Sequence, residues 1–176
     1  MGLFSFLTSP KEKASDNIDL PELDALVIDL ATFQIGNTRL GTAPTETDPF
    51  TTPLQKFGQI EASQGVELGT KNGMLDYAFL TLNNFKGKFA SNGTPLNIDK
   101  TSTEATIKNL FGLPYWIDRS DGETIMFYLY NKGQVELQFE FPSSHSLEFI
   151  TICQNGVLSC EKQRKSYGVN KPWPPK

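Results

Sequence analysis

Hydrophobic and polar positions alternate most cleanly over residues 134–141. There Val135, Leu137, Phe139 and Phe141 fall on one side of a strand, and Glu136, Gln138 and Glu140 on the other. The run 125–130, across Asn131, Lys132 and Gly133, reads as its hairpin partner. A three-residue turn sends Ile125, Phe127 and Leu129 to the apolar side, and Met126, Tyr128 and Tyr130 to the polar one. A third strand is predicted over 147–153, closed by Asn155-Gly156, and a short helix runs from a Ser159 cap to Tyr167, stopped by Gly168.

Upstream, Asp48 followed by Pro49 predicts a helix that ends at Gly58. Strands at 66–69 and 75–82 flank Asn72-Gly73, the strongest hairpin signal in the chain, and 85–89 and 95–98 pair through Asn92-Gly93. Earlier still, 26–30, Phe33 and Ile35 predict one or two strands that turn at Gly36-Asn37. Thr101 and Glu104 have the spacing of a capping box, ahead of Ile107, Leu110 and Phe111 on one helical face, and Gly112 and Pro114 end that helix. The fold class is α+β, with antiparallel sheet and few short helices.

The two halves share an order of elements. Phe57-Gly58 and Phe111-Gly112 each end a helix that feeds a hairpin, and Leu75, Tyr77 and Phe79 alternate as Val135, Leu137 and Phe139 do. This points to a tandem duplication of a helix–hairpin unit, against the reading that any α+β chain offers such coincidences. The expected division is a flexible lead-in (1–24), a first half (25–100), a second half (101–160) and a basic, Pro-rich tail (161–176).

Charge narrows the function classes. The net charge of −4 divides unevenly: residues 161–176 carry five basic groups and one acid, leaving −8 for residues 1–160. A body of that sign repels phosphates, so nucleic acid is not an expected partner and a cationic protein surface is. The apolar opening Met1–Leu7 lacks a basic leader, Phe6 occupies the Ser/Thr position of a myristoylation motif, and no stretch approaches ~18 apolar residues, so neither export nor a membrane is expected. Cys153 and Cys160 lack metal or redox spacing and read as plain thiols, which suits the cytoplasm.

Candidate chemistry is sparse. The single histidine, His145, lies among serines between two strands, with no nucleophile elbow anywhere in the chain. Asp118, Asp121 and Glu123 crowd six residues but lack calcium-loop spacing and read as a solvated turn. Glu136 and Glu140 share a strand face, more in keeping with a wet sheet than with the opposed carboxyls of a glycosidase. No phosphate-binding glycine pattern occurs, so no cofactor and no metal are expected, and the chain is not expected to be an enzyme. Trp173 among the terminal prolines reads as a pin for the tail, with a polyproline ligand as the other reading.

The stretch 111–116, the hairpin 125–141 and the closing 167–175 resemble a family of bacterial proteins. The organisation resembles the tandem helix–sheet units of the β-lactamase inhibitory protein, and the single unit of small outer-membrane assembly lipoproteins. An acidic, non-catalytic module of this kind also resembles the immunity proteins that bacteria pair with secreted toxins, type VI effectors among them. The resemblance implies a cytoplasmic inhibitor of a cationic toxin domain. The expected contact residues are Tyr128, Tyr130, Glu136, Gln138 and Glu140 on the polar side of the hairpin, with Asp118, Asp121 and Glu123 at its rim. A scaffold that holds two proteins together, and an enzyme of unfamiliar type, are the other readings.

Overall fold

The structure, a computed structural model, describes residue 23 and residues 25–62, 64–142 and 146–175, with the backbone alone at residue 62. The lead-in expected over 1–24, apart from Leu23, and His145 with Ser143 and Ser144 lie outside the described residues. In chain order the strands are β1 (Val27–Asp29), β2 (Gln34–Ile35), β3 (Thr38–Arg39), β4 (Gln59–Ala62), β5 (Val66–Lys71) and β6 (Met74–Thr81). They continue as β7 (Lys88–Ser91), β8 (Thr94–Leu96), β9 (Trp116–Asp118), β10 (Thr124–Tyr130), β11 (Val135–Phe141) and β12 (Phe149–Gln154). The helices are α1 (Thr51–Phe57), α2 (Glu104–Phe111) and α3 (Glu161–Ser166).

Among the described residues these strands form a five-stranded sheet, β3-β2-β1-β7-β8, and a seven-stranded one, β4-β5-β6-β12-β11-β10-β9. All neighbours pair antiparallel except β1 with β7. The fold is α+β, as the pattern predicts. Pairing of β6 with β12 joins the two sequence halves into one sheet across residue 100. Among the described residues no helix is long and apolar enough to cross a membrane.

Turn chemistry explains much of this path. Asn72 and Gly73 both take positive φ, 54° and 75°, as a two-residue hairpin loop requires. Gly58, at φ 73°, stops α1. The helix starts differ from expectation. Phe50 precedes α1, and Asp48 is instead buried, accepting from the Asn37 N–H at 2.8 Å and from the Thr38 hydroxyl, so it ties the helix entry to the β2–β3 turn. The capping box sits two residues later than Thr101: Thr103 accepts from the Thr106 N–H at 3.2 Å, and Thr106 Oγ1 accepts from the Thr103 N–H at 3.3 Å. Glu104 is then free to pair with Arg119 at 2.6 Å and Lys108 at 3.3 Å, fastening α2 to the sheet end. Leu110 is exposed rather than on the buried face, which Ile107 holds.

The main core lies against one face of the larger sheet. Leu68, Ala78, Leu80, Ile150, Ile152, Leu137 and Phe139 meet Ile28, Leu30, Ile35 and Phe89 of the smaller sheet, together with Phe50, Leu54 and Ile107. Leu23, 2 % exposed, belongs to this core. A second apolar cluster, built on Ile125, Phe127 and Leu158, occupies the opposite face.

Asp29 is a polar fastener at the edge of the core. Its carboxylate accepts from the N–H groups of Ala31, Thr32, Asn92 and Gly93 at 2.7–3.1 Å, so it closes the β1 exit onto the β7–β8 turn. Burial opposes its ionisation, but the four donors together hold its pKa below the ordinary value. Its contribution is therefore present above the unfolded pKa and is lost as pH falls through the lowered folded one. Asp29→Ala is expected to lower the unfolding free energy by ~2 kcal/mol at neutral pH, and by progressively less in acid, as urea denaturation at several pH values would measure.

Candidate functional site

The β10–β11 register decides where every expected contact residue points. Tyr130 lies opposite Val135, Tyr128 opposite Leu137 and Met126 opposite Phe139. The connection is thus four residues, 131–134, with Asn131, Lys132 and Gly133 all at positive φ. One residue more than the expected turn exchanges the two faces of β10. Tyr128 and Tyr130 therefore face the main core, which corrects their assignment as partner contacts. Tyr128 is 4 % exposed, donates its hydroxyl to Gly112 O at 2.9 Å and meets Phe139 edge-on. Burial pushes its pKa up to about 12. Tyr130, half-buried, packs on Phe33 with ring centroids 5.0 Å apart.

Glu136, Gln138 and Glu140 do share the other face, but Leu129, Phe127 and Ile125 lie opposite them there, and that face is covered. A 3-10 turn at Val157–Ser159 and the tail from Tyr167 to Trp173 close over it. Glu136 is 0 % exposed. It accepts from the N–H groups of Leu158 at 2.9 Å and Val157 at 3.1 Å, and from the Gln138 amide. Burial outweighs those donors and pushes its pKa up to about 7. Glu140, also buried, rises to about 7 through burial and the Glu123 charge. Trp173 pins the tail, as the sequence suggests: Arg164 lies 4.2 Å from its ring, and a Cβ on Gly133 would come within 2.5 Å of it.

Of the rim acids, Asp118 is half-buried opposite Ile125 and accepts from the Ser120 hydroxyl at 2.6 Å. Asp121 is exposed at φ 56°, and Glu123 is half-buried. No group of three metal-ligating side chains occurs among the described residues.

Pairings across the larger sheet set its outer face out in rows. One runs Glu61, Glu67, Phe79, Thr151, Gln138, Phe127, and the next Gln59, Gly69, Tyr77, Cys153, Glu136, Leu129. A third runs Thr81, Phe149, Glu140, Ile125. The face thus passes from carboxylates at the β4–β5 edge, through aromatic rings, to the apolar patch under the tail.

Unbroken alternation would put Leu75, Tyr77 and Phe79 on one side of β6. A register shift opposite Gly69/Thr70, where Asp76 is the extra residue of β6, leaves Leu75 in the core and turns Tyr77 and Phe79 to the other face, where Tyr77 is half-buried and Phe79, 8 % exposed, stacks on Phe149 at 5.5 Å. The same bulge removes the likeness between the two hairpins, and a duplication is not shown. Tyr77 lies over Gly69, where any Cβ would collide with its ring, and donates to Glu67 at 2.6 Å. Gln59 donates to the same Glu67 oxygen at 2.8 Å. Burial, then the Glu67 hydrogen bond, hold the Tyr77 phenol far above its ordinary pKa. The paired acids Glu61 and Glu67, and the rings of Tyr77 and Phe79, are what sequence reasoning missed. Only the bulge, with Gly69 as its one sequence signal, could have pointed to them.

Where the open half of this face meets residues 154–160 lies a groove of about 280 Å³. Tyr77, Phe79, Thr151 and Cys153 line it from the sheet, Gln138 and Glu140 from β11, and Asp76 and Lys71 from the hairpin end. Burial raises the Asp76 pKa against the pull of Lys71, and it raises that of Cys153 strongly. Cys160, exposed, also borders the groove, with its thiol pKa lowered by the N–H groups of Gln163 and Lys162. Such an arrangement offers hydrogen-bond acceptors and negative charge beside apolar walls, which suits a cationic group. The chain matches no protein-family model, and no curated protein and no solved structure matches it.

Proposed function

We propose that the chain is a non-catalytic protein-binding module that receives a cationic partner on the outer face of the larger sheet. We propose further that it acts in the cytoplasm as an immunity protein, neutralising a bacterial toxin of the type VI or a related system. The observation that carries the reading is the juxtaposition of the acids Glu61 and Glu67 with the half-buried ring of Tyr77 in adjoining rows. Carboxylates at an edge steer a basic surface, and a rigid ring beside them supplies contact area at small entropic cost. The −8 of residues 1–160 extends that steering beyond contact range.

Capture from the native host with the wild-type chain and with Glu61→Lys/Glu67→Lys tests the face. The double variant is expected to bind the captured partner about tenfold or more weakly, chiefly through a slower on-rate with steep salt dependence. Equal capture by both proteins would rule the face out. Loss of the partner's own activity at equimolar wild-type chain supports immunity, whereas a partner that stays fully active in the complex makes the chain a scaffold.

A further inference from the structure

We infer that the groove between β12 and residues 154–160 is the seat for one guanidinium side chain of the cationic partner, an inference that rests on the reading above. At about 280 Å³ it lies just below the range of ligand pockets (~300–1,000 Å³), room for a side chain rather than for a chain segment. Its two acids are Asp76 and Glu140, and its one cation, Lys71, is exposed.

Gln138 supplies the independent sign of a missing donor. Its side chain is 1 % exposed, and its Oε1 has no hydrogen-bond partner. The orientation of the amide follows from its neighbour. Glu136 collects the Gln138 Nε2–H together with the N–H groups of Val157 and Leu158, so the amide presents its nitrogen there and turns its oxygen away. An orphaned buried acceptor costs ~1–3 kcal/mol, which an incoming N–H would recover.

Glu140 follows Gln138 on the same face of β11 and also lines the groove, with the negative Glu123 near it. A cation placed between Gln138 and Glu140 would satisfy the orphaned oxygen of the one and offset the charge of the other. Guanidinium fits better than ammonium: it carries five donors in one plane, enough for Gln138 and a carboxylate together, and is the more weakly hydrated of the two. Its aliphatic stem would lie along Tyr77, Phe79 and Val157.

The test uses N-acetylarginine amide as probe, and its neutral isostere N-acetylcitrulline amide, on the full chain. The arginine probe is expected to shift the Gln138 side-chain amide signals saturably in NMR and to slow alkylation of Cys160 at the groove mouth, while the citrulline probe does neither. Glu140→Gln should weaken the arginine probe about tenfold or more, and Gln138→Leu should do likewise. Equal binding of the citrulline probe would overturn the inference, as would unchanged arginine affinity in both variants. If the arginine probe fails while Glu61→Lys/Glu67→Lys still abolishes partner capture, the groove assignment falls and the face stands. If the probe seats in the groove but that double variant captures the partner like wild type, the face falls instead.

Discussion

Deleting residues 167–176 is expected to lower the unfolding free energy by about 4 kcal/mol or more, on the scale of truncating a large aromatic in a core (~3–5 kcal/mol). Tyr167, Val169 and Trp173 close the cluster built on Ile125, Phe127 and Leu158. Tyr167 packs edge-on against Phe127 at 5.3 Å, and the Tyr115 hydroxyl donates to Pro172 O at 3.0 Å. Without them Phe127, 0 % exposed in the intact chain, meets water. Urea denaturation of the intact and shortened chains checks this. A difference under ~0.5 kcal/mol, the scale of an ordinary surface change, would show the tail to be a passive appendage.

Raising the pH from about 5 to about 8 is expected to destabilise the protein by several kcal/mol, a trend opposite to that of its salt-bridged acids. Burial holds the Glu136 and Glu140 carboxyls at about 7, above the 4.5 of a free glutamate. A raised folded pKa gives stability that is complete below the unfolded value and lost as pH rises through the folded one, up to ~3 kcal/mol for each group. Glu104 works the other way. Hydrogen bonding to Arg119, then to Lys108, holds it at about 2 despite burial, so its contribution fades only in strong acid. Stability should thus peak in mild acid. Glu140→Gln removes one ionisation and is expected to be ~2 kcal/mol more stable than wild type near pH 8 and equal to it near pH 5, by urea denaturation at both. A variant that tracks wild type across that range would show Glu140 to titrate normally. If the gain is seen, the chain retains a destabilising carboxylate in its groove, as binding sites often do.

Hairpins were the most legible part of the fold, because Asn72-Gly73 and Asn92-Gly93 take positive-φ conformations that few other residue pairs adopt at low cost. Helix stops at Gly58 and Gly112 were legible for the same reason. Caps were not. Thr101, Ser102 and Thr103 all qualify by residue type, and the choice of Thr103 goes with a helix whose Glu104 is engaged by Arg119, fifteen residues away. The candidate site was the least legible. The acids and rings expected as contacts lie on β10 and β11 and are covered or turned to the core, whereas Glu61, Glu67 and Tyr77 come together on β4, β5 and β6.

By itself the sequence determined an α+β chain of antiparallel hairpins with a basic tail and a strongly acidic body, because turn residues, alternation and charge are local properties. Only the tertiary structure decided which side of each strand faces the core. Side chains alternate with a period of two, so one extra loop residue before Val135, or one bulged residue opposite Gly69, exchanges the two faces along the rest of a strand. Packing against the tail and the smaller sheet then selects the register, and with it which carboxylates are buried and which stay exposed.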